Sequence, residues 1–349
     1  MEGPLHYPVE SGRGTGVSPR VPRSTSPVAP RATDINMTYL GIEIGGTKIQ
    51  VVAGDRNGTF LERHRLAADR ERGGAGIREQ IASVLPGLIA RHRPGAIGIG
   101  FGGPVDHETG LICCSHQVAG WHDFPLGDWV RGLSRLPVVV ENDANVAALG
   151  EALLGAGKGY RHVFWINMGS GVGGGMVVDG RLYHGAKPGE AEIGHIRLDK
   201  SGILLEQRCS GWAVDGRIRA AVKEPGVAEG PLVRAVRAQS PAGGEARHLG
   251  AAARAGDPLA LSILEEVADD LGFALSHAVQ LFHPDIVVVG GGLSLVGEPL
   301  REAMARALPK YVMDSFRPGP LVALAGLGED SVPAGALALA DGWLSRASA

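Results

Sequence analysis

Two glycine-rich turns and one carboxylate are the parts of this 349-residue chain that point most directly to chemistry. Gly45-Gly46-Thr47-Lys48 and Gly169-Ser170-Gly171 each lie between apolar, strand-like runs. Successive backbone N–H groups in such a turn form an anion nest. Thr47 and Ser170 each add a hydroxyl donor, and Lys48 adds a positive charge. Either turn alone reads better as a plain hairpin turn without a ligand; the pair, facing across a cleft, points to a polyphosphate. Two other readings fail on context. Gly98/Gly100/Gly103 and Gly169/Gly171/Gly174 match the dinucleotide pattern G-x-G-x-x-G. The first has two of its glycines inside a strand, and the second leads into a hairpin where a helix is required. No G-x-x-x-x-G-K-[ST] sequence is present.

The carboxylate is Asp143, in Val138-Val139-Val140-Glu141-Asn142-Asp143-Ala144-Asn145. It follows a buried strand, at the C-terminal end where open α/β sheets place ligand-binding groups. It could also cap the following helix, a common role for Asp. Glu192 and His195 stand three apart in Glu192-Ile193-Gly194-His195; alone, such residues are more often surface groups or satisfied core groups.

Composition narrows the classes of function. Glycine numbers 54, about twice the usual ~7 %, as expected where backbone turns tightly or approaches a ligand. Aromatic residues are 5 % and the net charge is −3, which disfavours a nucleic-acid binder. No run of 18 apolar residues is free of charge or glycine, so no membrane span is expected. Cys113, Cys114 and Cys209 are too few for a disulfide framework and fit a reduced cytoplasmic setting.

The elements that must position these groups alternate from Met37 onward. Strands are expected at Leu40–Ile44, Ile49–Ala53, a third after Asn57-Gly58, Ala96–Phe101 and Pro137–Glu141. Helices are expected at Ile77–Arg91, kinked or broken at Pro86, at Leu126–Leu133 and at Asn145–Leu154. The pattern then recurs. A strand at His162–Met168 precedes the glycine run 169–175 and a hairpin of Met176–Val178 with Arg181–Tyr183. Asp257-Pro258 starts a long helix whose apolar stripe runs from Leu264 to Phe282. Ile286–Val289 is a strand ending in Gly290-Gly291-Gly292, and a last helix runs from Pro333 to Leu344. The weak internal repeat implies two related α/β lobes with a cleft between them. Residues 1–37 form a tail rich in Pro, Ser, Gly and Arg, read as disordered and dispensable. The N-terminal lobe is expected over 38–143, with a C-terminal helix 332–346 packing back on it, and the C-terminal lobe over 144–331.

Taken together, several segments resemble the ROK family of sugar kinases and repressors, within the actin-like, hexokinase-like ATPase superfamily. They are Gly41–Lys48, Gly103-Pro104-Val105-Asp106, Glu141–Asn145, Gly169–Gly175, Glu192–His195, Gly290–Ser294 and Ala334-Gly335-Ala336, in family order. The resemblance implies two ribonuclease-H-like lobes around a cleft. It implies that Gly45, Gly46, Thr47 and Lys48 hold ATP phosphates near the γ-phosphoryl, and that Gly169, Ser170 and Gly171 hold the others. Gly291 and Gly292 would line the adenosine side. Asp143 matches the catalytic base; Asn142, Glu192, His195 and Glu206, with Gly103, match the sugar side. Glu43 stands where many members carry Asp, and would reach Mg²⁺ through water. Dimers are usual among relatives.

Two departures stand on the sugar side. The family's Cys-rich zinc loop after the histidine is replaced by Ile196–Leu205 without cysteine, so no zinc is expected. His116-Gln117 stands where sugar kinases often show Pro-Asn. The expected activity is ATP-dependent phosphorylation of a hexose, glucose first, with fructose, mannose or an N-acetylhexosamine as alternatives. A non-catalytic, sugar-responsive regulator of the same family is the alternative of another class.

Overall fold

The computed structural model describes residues 37–347 apart from His116, Pro188 and Ala242. The expected tail, up to residue 36, lies outside the described residues. The strands β1 (Tyr39–Ile44), β2 (Lys48–Gly54) and β3 (Phe60–Ala67) form an antiparallel meander. Asp55 shapes the β2–β3 turn, its carboxylate accepting from the amides of Asn57 and Thr59 at 2.9 and 3.0 Å. Helix α1 (Gly73–His92) returns the chain to β4 (Ile97–Phe101), which lies parallel to β1. Pro86 does not break α1, contrary to expectation. It sits on the exposed face, while Ile77, Ile81, Leu85 and Leu88 are fully buried on the other. A small ribbon of β5 (Val105–Asp106) and β6 (Leu111–Ile112) and helix α2 (Leu126–Ser134) lead to β7 (Val138–Asn142), parallel to β4.

Helix α3 (Asp143–Leu153) then opens a second sheet of β8 (His162–Met168), β9 (Val172–Val178) and β10 (Arg181–Leu182). Five helices follow: α4 (Leu205–Cys209), α5 (Gly211–Lys223), α6 (Pro231–Arg237), α7 (Leu249–Arg254) and α8 (Pro258–Phe282). Asp257 caps α8 through the amides of Leu259 and Ala260, and His283 ends it in the left-handed region at φ 46°, as the Asp-Pro and His-Pro signals predict. Strand β11 (Ile286–Gly290), α9 (Glu298–Ala307), β12 (Leu321–Leu324) and α10 (Ser331–Ala347) complete the chain. The sheets have orders β3-β2-β1-β4-β7 and β10-β9-β8-β11-β12. Each is therefore an antiparallel meander extended by two parallel strands, the expected repeat.

Strand β9 starts earlier than the sequence suggests. Gly173, Gly174 and Gly175 pair with Asn167, Ile166 and Trp165, so only 169–171 is turn. Glycine is needed there for packing: a Cβ on Gly175 would lie 2.7 Å from Ala148 Cβ on α3, and one on Gly174 would strike the Ala191 carbonyl. Helix α10 packs against α3 and the first sheet by the same device, Gly98 facing the Ala336 carbonyl and Gly335 the Val146 carbonyl. Glu151, fully buried on α3, locks this junction. Its carboxylate accepts from the amides of Ala156, Gly326 and Leu327 and from Ser331 Oγ, all at 2.8–2.9 Å. Such charge-assisted bonds satisfy a carboxylate that burial would otherwise penalise.

Candidate active site

Register brings the ends of three parallel strands together: Ile44, Phe101 and Asn142 lie side by side. The Gly102 amide bonds to the Ile44 carbonyl at 2.9 Å, tying the β4 exit to β1. A Cβ on Gly102 would lie 3.3 Å from Asp143 Oδ2, so the Asp143 carboxylate lies against this junction. Asp143 is the first residue of α3 and does not cap it. The cap is Asn142, whose Oδ1 accepts from the amides of Ala144 and Asn145 at 2.9 and 3.3 Å. The reason is geometric: Asn142 has extended backbone, as an N-cap requires, and Asp143 is already helical. Asn142 Nδ2 donates to the Gly103 carbonyl at 3.1 Å, so one side chain fixes both the helix start and the neighbouring loop.

The electrostatics single out Asp143. Burial, then the charge of Glu43, with a smaller push from Glu192, raise its pKa to about 7, while the nearby amides of Ala144 and Asp143 pull the other way. Glu43 is buried on β1 and is itself raised, by burial first. Lys48 Nζ at 3.5 Å and a 2.7 Å bond from Gln50 Nε2 moderate it. Two carboxylates raised by burial, one of them pushed further by the other's charge, form a ready site for a cation or a proton.

The first glycine turn is closed by the Gly45 amide on the Lys48 carbonyl at 3.0 Å, with Thr47 exposed at its tip. In the second, the Gly169 amide reaches the Gly171 carbonyl at 2.9 Å, and the Gly169 carbonyl accepts the Gly211 amide at 2.8 Å at the start of α5. One side chain spans both turns. Gln117 Nε2 donates to Ser170 Oγ at 3.2 Å, and its Oε1 lies over Gly46, where a Cβ would strike it. The turns therefore face each other within the reach of one glutamine. Gly291, at φ 81°, lies against Asn167 and Met168 just before the second turn, and Gly292 borders open space.

The sugar-side residues divide. Asn142 and Glu192 line one cavity, together with Pro104, Glu141 and Asn145. His195 is exposed at the end of the 3-10 helix Ile193–His195, which Gly194 lets settle onto the Val172 carbonyl. Glu206, in contrast, is bonded to the second turn: its Oε2 accepts the Val172 amide at 2.8 Å and occupies the space beside Gly171. Gln50 and the polar groups around Glu141 went unseen in the sequence. Gln117 had one signal, its place at a departure from the sugar-kinase pattern.

With this geometry in hand, the similarities to known proteins take on meaning. The ROK family model matches residues 39–342. The chain is 32% identical over 318 residues to a glucokinase of Halalkalibacterium halodurans, covering 88% of this chain and 94% of that protein. It is 36% identical over 314 residues to the glucokinase of Streptomyces coelicolor, covering 86% and 96%. Among solved structures, a ROK family glucokinase from Streptomyces griseus in complex with glucose and AMPPNP superposes with a TM-score of 0.76 at 32% identity, over 87% of this chain and 99% of that one. A family match over nearly all the described residues, on an actin-like ATPase fold with paired glycine turns, shows that this chain belongs to the ROK family.

Proposed function

We propose that the protein is an ATP-dependent hexose kinase of the glucokinase kind, with Asp143 as its general base. The observation that carries this reading is the placement of the Asp143 carboxylate against Gly102 at the β4–β7 strand ends, together with two glycine turns that lie within the reach of one glutamine. Phosphoryl transfer asks the protein mainly for positioning and charge stabilisation. The amides of Gly45 and Gly46, Thr47 Oγ1 and Lys48 would hold the terminal phosphates of ATP. Gly169, Ser170 and Gly171 would hold the phosphates from the other side, and Gly291 and Gly292 would border the adenosine. Asn142, Glu192, His195 and Glu206, with the Gly103 loop, would orient the sugar. Asp143 would take the proton of the attacking hydroxyl as the new P–O bond forms.

Glu43 and Asp143, two buried carboxylates of which the first raises the second, suit a hard divalent cation, and we assign Mg²⁺ there, held by Glu43 through water. When bound, that ion supplies positive charge against the phosphate oxygens. Gln117 must leave the space between the turns for phosphate to enter. The homodimer expected from the family resemblance belongs to the same reading and is checked by sedimentation. The deciding experiment is a coupled assay of ADP release with ATP and Mg²⁺ across glucose, fructose, mannose and N-acetylhexosamines. Turnover greatest on glucose supports the reading. Turnover greatest on another sugar moves the assignment to that kinase, and none on any sugar favours the sugar-responsive regulator.

A further inference from the structure

Two large, exposed apolar side chains stand beside the second glycine turn. Trp212 follows Gly211, the first residue of α5. It is 63% exposed, while the other tryptophans are buried or half-buried. Its indole has no ring, cation or hydrogen-bond partner among the described residues. Leu295, 79% exposed, lies on the 3-10 helix Gly292–Val296, just after Gly291. One exposed apolar side chain is ordinary, but two beside one glycine turn form a pattern. Backbone contacts put them there. The Gly211 amide bonds to the Gly169 carbonyl at 2.8 Å, and a Cβ on Gly211 would lie 2.9 Å from that oxygen. A Cβ on Gly291 would lie 2.6 Å from the Met168 carbonyl. Both helices therefore start directly against the last residue of β8 and the first of the turn.

The sides of these elements agree. Asp215, three residues on from Trp212 and so on the same side of α5, accepts the amides of Gly244 and Ala246 at 2.9 and 2.7 Å. Those bonds tie this side of α5 to the 3-10 helix Glu245–His248, which packs against Gly292–Val296. Val214, Ile218 and Val222 are buried on another side of α5. Trp212 is thus on the side of α5 nearer the segment that carries Leu295. A helical side chain also leans toward its helix N-terminus, which here means toward the turn. At Gly292 the space is open, since a Cβ there would meet nothing within 4 Å. We propose that Trp212 stacks on the purine base of the bound nucleotide and that Leu295 covers the other face of the base. The proposal rests on the reading of Gly169-Ser170-Gly171 as a phosphate cradle. A nucleotide held there by its phosphates extends its base past the turn, and a purine is flat and apolar on both faces. Indole matches one face by offset stacking, and leucine matches the other by burial. The turn alone would accept any polyphosphate; the pair makes the base count toward affinity.

The test separates base from phosphate. Full-length protein is titrated by calorimetry with AMPPNP and with inorganic tripolyphosphate, each with Mg²⁺, and tryptophan emission is followed in parallel. AMPPNP should quench part of the emission, and tripolyphosphate should not. Trp212→Leu should abolish the quench and weaken AMPPNP binding ~5–150-fold, the loss expected of one stacked base, with tripolyphosphate affinity unchanged. Trp212→Phe should keep most of the affinity, and Leu295→Ser should lose a smaller factor than Trp212→Leu. Both side chains are exposed, so circular dichroism should show native folds in all three variants. In turnover, the loss in Trp212→Leu should appear in KM for ATP and not in KM for the sugar. Unchanged AMPPNP affinity in Trp212→Leu, or an equal loss for tripolyphosphate, overturns the proposal, as does a wild type that binds no AMPPNP. If AMPPNP binds and quenches as expected while every sugar fails as substrate, the stacking stands and the kinase assignment falls. If Trp212→Leu turns over a sugar with an unaltered KM for ATP, the assignment stands and the stacking falls.

Discussion

The two sheets have the same strand order, yet they bring opposite kinds of chemistry to the cleft. The first contributes charged side chains. Glu43 projects from β1, Lys48 opens β2, and Asp143 follows β7. The second contributes backbone: the ends of β8 and β11 run into Gly169-Ser170-Gly171 and Gly290-Gly291-Gly292, and the groups offered there are chiefly amides. The difference suits the two tasks proposed for the site. Removing a proton needs a carboxylate whose pKa is set by burial and neighbouring charge, whereas cradling phosphate needs N–H groups unobstructed by side chains. One topology can serve both because its strand ends are open to any residue that the turn geometry tolerates.

The largest expected effect breaks the first side of this comparison. Asp143→Asn keeps the shape and, since Asn142 makes the cap, leaves α3 intact. It should lower kcat on the best sugar by ~10²–10⁴, roughly 3–5 kcal/mol of barrier. Wild-type kcat in this variant would refute the base assignment.

The same variant sharpens the electrostatic argument. A carboxyl raised to about 7 when folded holds a proton between pH ~4 and ~7 that the unfolded chain has lost, so native stability falls as pH rises through that window. Asp143→Asn should therefore match the wild type in melting near pH 4 and gain progressively to pH 7, by up to ~4 kcal/mol. Equal melting at pH 8 would show that burial imposes no such cost. In the wild type, kcat/KM should fall on the acid side with an apparent pKa near 7, that of Asp143.

Glycines distinguish packing from ligand approach. Gly98→Ala drives a Cβ into the Ala336 carbonyl of α10, backbone that cannot step aside, and should destabilise by ~1–3 kcal/mol in denaturant titration. Asn142→Ala removes the α3 cap and should cost about 1 kcal/mol in the same titration. Gln117→Ala should change stability by less than ~0.5 kcal/mol, since it deletes one exposed side-chain bond. It should nevertheless lower KM for ATP, because the glutamine no longer spans the turns. An unchanged KM would mean that Gln117 swings aside without cost.

Where the signal is local, sequence and structure agree closely. The Asp257-Pro258 start and His283 end of α8, the strand at 162–168 and both glycine turns rest on capping, periodicity and turn chemistry, which neighbouring residues settle among themselves. The site residues flanking those turns were legible for the same reason. The short helices α4, α6 and α7 were not, because each is a single turn or little more, too short for an apolar period to show. Their positions are set by packing, α4 and α7 against α8 and α6 against α5 and α7, rather than by propensity. The continuous course of α1 through Pro86 is likewise decided by the sheet beneath it.

The sequence by itself determined the repeat of the two sheets, the paired glycine turns and the carboxylate at a strand end, since each depends on residues adjacent in the chain. Only the tertiary structure decided that Asn142 and not Asp143 caps α3, that Gln117 spans both nests, and that Glu43 pushes the Asp143 carboxyl up. These are meetings of residues from separate elements, and distance in the chain says nothing about them. They follow from strand register, from glycines that let helices close onto the sheets, and from burial, which turns a neighbouring charge into a large shift in proton affinity.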